Sequence, residues 1–95
     1  MYAIEFVLDT DSLIKTQPDK NSWATAYVKI EKFFADNGFY QVQFGLYYAP
    51  KTMNVTTLIL ILQHLNVELG WFKSCVKRAS ILRIDEVTPV IEIFV

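Results

Sequence analysis

Three carboxylates gather near the start of the chain, in "MYAIEFVLDTDSL": Glu5, Asp9 and Asp11. Such groups support two kinds of chemistry. A carboxylate on a mostly apolar sheet face is partly stripped of water, which makes it a better proton acceptor near neutral pH. Paired carboxylates, Asp9 among them, can instead hold Mg²⁺, which offsets charge at a phosphoryl group. The structural alternatives are a salt bridge from Glu5 to Arg83 or Lys77, and capping of a helix or loop by Asp9 and Asp11.

Few other residues offer chemistry. The formal net charge is −1, so the molecule carries no general basic field and any nucleic-acid binding must come from a local patch. Lys73, Lys77, Arg78 and Arg83 form the best one, four of the nine basic residues within one short stretch, with a solvated strand edge as the structural alternative. His64 is the single histidine and Cys75 the single cysteine, so neither has a second partner of its own kind for a metal or a nucleophilic pair. No glycine-rich phosphate loop is present. Trp71 and Phe72 could stack on bases, or pack in a core or a dimer contact.

These residues need elements to hold them. Along a first strand, Tyr2, Ile4, Phe6 and Leu8 share one face, and Ala3, Glu5, Val7 and Asp9 the other. Glu5 and Asp9 then flank Val7 at about 6 to 7 Å along the strand. The polar stretch from Thr10 to Asn21, with Pro18, reads as a loop. Trp23, Ala26, Tyr27, Ile30, Phe33 and Phe34 recur at helical steps, with Asn21 or Ser22 as the cap and Gly38 as the stop, so a helix is predicted from about Ser22 to Asn37. "FYQVQFGLYYAP" is β-prone and reads as one bent strand or two short ones joined near Gly45, with Gln43 at the bend. Asn54 caps a predicted helix from about Val55 to Asn66. "GWFKSC" is a turn or short helical piece. Strands are predicted over Ala79 to Glu86 and Pro89 to Val95.

This order fits one α+β domain over residues 1–95, a ferredoxin-like βαββαβ sandwich with an extra C-terminal strand. Both helices would cover the face of Tyr2, leaving Glu5, Val7 and Asp9 on the open face. Hydrophobic residues make up 53% of the chain, which favours burying apolar surface against a second copy, most simply in a twofold dimer with the open faces together. The lone cysteine suits a reducing compartment. The longest strictly apolar run, Leu58 to Leu62, is too short to span a bilayer, and no secretory signal is expected, so a cytoplasmic location without membrane contact is the default.

Taken in order, "MYAIEFVL", "AYVKIEKFFADNGFYQVQFGLYY" and "WFKSCVKRASILRID" resemble the virulence-associated protein D (VapD) family, toxin-type endoribonucleases related to a small CRISPR-adaptation nuclease. The resemblance spans nearly the whole chain through Gly38, Phe39, Val42, Gln43, Tyr47, Trp71, Phe72, Val76, Arg83 and Ile84. It implies a bacterial homodimer built through the sheet faces, with Ala3, Val7, Trp71, Ile91 and Ile93 at the interface and the last strand added to the neighbouring subunit. It also implies RNA cleavage in the cleft between subunits, either with Mg²⁺ or by acid and base groups, under the control of a small antitoxin protein.

On that reading Glu5, Asp9 and Gln43 are the catalytic candidates, Asp9 the metal ligand, and Lys77, Arg78 and Arg83 the RNA contacts. Two positions depart from the family pattern. Val7 stands where the resemblance implies a first-strand aspartate, and Gly45 where it implies a small serine. A catalytically degenerate dimer that binds protein or nucleic acid is the alternative expectation.

Overall fold

The computed structural model describes residues 1–16 and 22–85, with side chains from 1–13 and 24–85. A four-stranded antiparallel sheet has the order β2-β3-β1-β4, from β1 (Tyr2–Leu8), β2 (Tyr40–Gln43), β3 (Leu46–Tyr48) and β4 (Val76–Arg83). Between the strands lie α1 (Thr10–Thr16), α2 (Ser22–Asp36), α3 (Val55–Glu68) and α4 (Phe72–Cys75). This α+β arrangement is compatible with a ferredoxin-like fold. The predicted strand from Pro89 to Val95, with Ile91 and Ile93, lies outside the described residues. Among the described residues no helix is long and apolar enough to cross a membrane.

The alternation in β1 sets the layers. Ile4, Phe6 and Leu8 are buried in the core, and Phe6 is its aromatic hub. Its ring stacks with Tyr47 at 6.0 Å and Phe34 at 6.3 Å and meets Phe72 edge-on at 5.6 Å. Phe34 and Tyr47 stack at 4.6 Å. Contacts of this kind tie β1 and β3 to α2 and α4, adding geometry-dependent attraction to the area they bury. The Tyr47 hydroxyl finds no hydrogen-bond partner among the described residues. Burial, then Glu31 and Tyr27, pushes its pKa up to about 12, so the phenol stays neutral at physiological pH.

Helix α2 ends as its sequence predicts. Gly38 adopts φ +84°, its N–H donates to Ala35 O at 3.0 Å and the Phe39 N–H donates to Phe34 O at 2.9 Å. The Phe34 and Phe39 rings then meet at 5.0 Å, the apolar contact that accompanies this left-handed stop. Helix α3 starts at the expected place, where Asn54 Oδ1 accepts from Thr57 N at 2.8 Å. The stretch around Gly45 resolves into two strands joined by Phe44 and Gly45.

Two expectations change. The segment after β1 is a short helix rather than a loop, because Asp9 Oδ1 accepts from Asp11 N at 3.1 Å and Ser12 N at 3.4 Å, while Leu13 anchors it in the core. A helix of 7 residues is too short to show periodicity and depends on that tertiary burial. The last described strand begins at Val76, earlier than its composition suggested, because Val76 pairs with Leu8 and the Asp9 N–H donates to Cys75 O at 2.7 Å.

Candidate functional site

The strand register composes the open face row by row. Directly paired residues of antiparallel strands point to the same side. Glu5 pairs with Leu46 on β3 and Ser80 on β4, and Leu46 pairs in turn with Gln43 on β2. One transverse row therefore reads Gln43, Leu46, Glu5, Ser80. Gln43 stands two strands from Glu5, about 10 Å. The next row joins Val7 to Arg78.

Glu5 is half-buried on a central strand and forms no ion pair with a described residue. The expected salt bridge to Arg83 or Lys77 is not made. Arg83 pairs in register with Tyr2, on the row that faces the helices, and its Nε lies 3.5 Å from Asp85 Oδ1. It is Arg78 that shares the open face with Glu5.

Past Val7 the register shifts, with Leu8 pairing to Val76 so that Lys77 is the extra residue of a bulge. Here Val7, Leu8, Asp9, Thr10, Asp11 and Lys77 line an open cleft. Asp9 is not a further member of the Glu5 row. It lies beyond the end of β1, and one carboxylate oxygen caps α1. Asp9→Asn is expected to keep that cap and leave Tm unchanged, whereas Asp9→Ala should cost about 1 kcal/mol. Thermal unfolding of both variants, read beside RNA cleavage, separates the cap from any use of the charge.

Among the described residues there is no group of three or more His, Cys, Asp or Glu side chains suited to a metal ion. Asp9 and Asp11 nonetheless line one cleft, and Mg²⁺ commonly takes one or two carboxylates beside water and phosphate oxygens.

Of the expected interface residues, Ala3 is already fully buried within one chain, Val7 is half-buried on the open face, and Trp71 packs partly against the core beside Phe72. Cys75 is fully buried, and His64 is exposed, lying 3.9 Å from Glu68 on the helical side. Ser80 and the paired Tyr40 and Tyr48 also belong to the open face. The sequence hid Ser80, because β4 carries no alternation that announces its register with β1.

No protein-family model matches the chain. Over 86 residues it is 35% identical to "Endoribonuclease VapD 2" of Riemerella anatipestifer, an alignment covering 90% of each protein. It is also 33% identical over 86 residues to "Endoribonuclease VapD homolog" of Helicobacter pylori, covering 90% of this chain and 87% of that protein. The chain belongs to the VapD family. That membership agrees with the resemblance drawn from the ordered motifs.

The two VapD departures that the resemblance implies, at Val7 and Gly45, each have a structural setting. Val7 sits between the Glu5 row and the Asp9 cleft, so an aspartate there would face both. Gly45 has φ +76°, and a Cβ on it would lie 2.3 Å from Phe6 O. The Phe6 N–H donates to Gly45 O at 2.8 Å, so the hairpin is pressed against β1. A serine cannot occupy this turn without moving that backbone.

Proposed function

We propose that the chain is an endoribonuclease in which Glu5 is the general base. The observation that carries this reading is a half-buried carboxylate at the centre of an open sheet face, without an ion-pair partner among the described residues. A structural carboxylate on such a surface would ordinarily be paired or turned to water. The two VapD relatives, named endoribonucleases, supply the substrate class.

In the proposed reaction Glu5 takes the proton of a ribose 2′-hydroxyl. The 2′ oxygen forms a bond to the adjacent phosphorus, the bond from phosphorus to the 5′ oxygen breaks, and that oxygen leaves with a proton from water. The products are a 2′,3′-cyclic phosphate and a 5′-hydroxyl end. Arg78, in the neighbouring row, offsets charge on the phosphoryl oxygens, and Lys77 extends the cationic edge. Gln43 bonds the ribose or base of a flanking nucleotide. The active form is a twofold dimer packed through the sheet faces, with RNA in the cleft between subunits and a small antitoxin protein as its inhibitor.

The test incubates the purified protein with end-labelled structured RNA, with Mg²⁺ and with chelator, and identifies the fragment ends. Cyclic phosphate termini, and loss of cutting when the 2′-hydroxyl at the cleavage site is replaced by hydrogen, are expected. Fragments ending in a free 3′-hydroxyl would overturn the route through Glu5. Val7 favours a second reading, a dimer that retains the surface without the reaction. On that reading the parent cleaves no RNA with or without metal, and Val7→Asp restores cutting.

A further inference from the structure

The open face carries an aromatic pair that the proposed chemistry does not use. Tyr40 on β2 and Tyr48 on β3 are directly paired, with ring centroids 5.3 Å apart and planes at 71°. Tyr40 is 56% exposed, and Tyr48 is half-buried. Tyr48 also pairs with Ala3, so the pair stands one row from Glu5, about 6 to 7 Å along the strands.

We infer that Tyr40 and Tyr48 form a stacking platform for a base of single-stranded RNA, next to the nucleotide whose phosphate lies at Glu5. This rests on the endoribonuclease reading and adds a binding residue and a strand preference to it. Every base has a flat π-face, and an exposed tyrosine on an open sheet offers a matching surface at little cost in side-chain entropy. A base paired within a duplex cannot present that face, so the platform selects unpaired RNA.

Charge complements the assignment. Arg78 lies on the same face beyond Glu5, so a cation stands at the far end of the path from the tyrosines past Glu5. A polyanionic strand lying in the cleft between the two packed faces meets the aromatic pair, Glu5 and the Arg78 cation in turn. Phe44 is more exposed than Tyr40, at 78%, but its ring meets Tyr27 of α2 edge-on at 5.7 Å, which sets it on the helical side of the hairpin. It is therefore an internal control for exposed aromatic surface off the path.

The experiment uses fluorescence anisotropy with a labelled, mixed-sequence single strand of 2′-fluoro RNA, which lacks the attacking hydroxyl. Tyr40→Ala is expected to weaken binding by about tenfold or more, while Tyr40→Phe and Phe44→Ala bind like the parent. A blunt duplex of the same composition should bind equally to all four proteins. On cleavable RNA, Tyr40→Ala should raise KM and leave kcat near the parent value.

Parent-like binding by Tyr40→Ala overturns the platform, as does a parent that binds duplex and single strand alike. Sedimentation of each variant checks the competing use of these rings. A Tyr40→Ala protein whose weakened binding tracks a lost dimer would assign the pair to subunit contact and overturn the platform. Binding that depends on Tyr40 in a protein that cuts no ribonucleotide substrate supports the platform and ends the catalytic reading. Cleavage with a KM indifferent to Tyr40 does the reverse.

Discussion

Glutamine at position 5 is expected to leave a folded protein that cleaves RNA about 10² to 10⁴ times more slowly than the parent, the range over which a positioned base contributes. The substitution is nearly isosteric, and it replaces a half-buried charge by a neutral amide. Because Glu5 forms no ion pair with a described residue, the change breaks no visible electrostatic partner. Its neighbours Leu46 and Ser80 require no negative charge across the pairs, so Tm should hold or rise. Single-turnover cleavage and thermal unfolding of the same preparation provide the check. Unchanged cleavage would remove Glu5 from the chemistry, and a large fall in Tm would make it a structural charge instead.

The second large effect is on stability. Gly45→Ala and Gly45→Ser are each expected to destabilise the fold by about 3 kcal/mol or more. For a domain of this size that corresponds to a Tm loss on the order of 10–20 °C. Two costs act together. The backbone sits at φ +76°, where a side chain is strained, and the new Cβ meets a backbone carbonyl at 2.3 Å rather than the yielding tip of a side chain. The Phe6 N–H to Gly45 O bond blocks the simplest relief, because moving the turn outward would break it. Thermal or urea unfolding measures the loss, and near-parental stability in either variant would show that the hairpin relaxes freely. The same variant limits how a serine at this position can be read, since adding a hydroxyl here also shifts the turn that carries Gln43.

The two positions where the resemblance implies a departure are held in different ways. Gly45 is fixed by backbone geometry in this chain, so its identity says little about chemistry. Val7 is fixed by nothing comparable. It lies half-buried on the open face opposite Arg78, and an aspartate there would gain that partner.

Local pattern determined a good part of this protein. The alternation of β1, the helix ending at Gly38, the Asn54 cap and the turn at Gly45 depend on residues close in sequence, whose propensities and short hydrogen bonds act before any distant strand arrives. The ordered motifs also pointed to the family. Asp9 was only half legible, because the same carboxylate that suits chemistry also suits a cap, and the choice depended on whether Leu13 found a core to anchor a short helix.

Tertiary structure decided the site. Which basic residue faces Glu5 is a question of pairing between β1 and β4, the first and last described strands, and a slip of one residue would exchange the two faces of β4. That register, with its bulge at Lys77, puts Arg78 and Ser80 on the open face and leaves Arg83 on the other. Long-range pairing also aligned Tyr40 with Tyr48 and set both one row from Glu5. Periodicity within a strand fixes which residues share a face, but only the burial of Phe6, Phe34 and Tyr47 in one aromatic core fixes how the strands lie against one another.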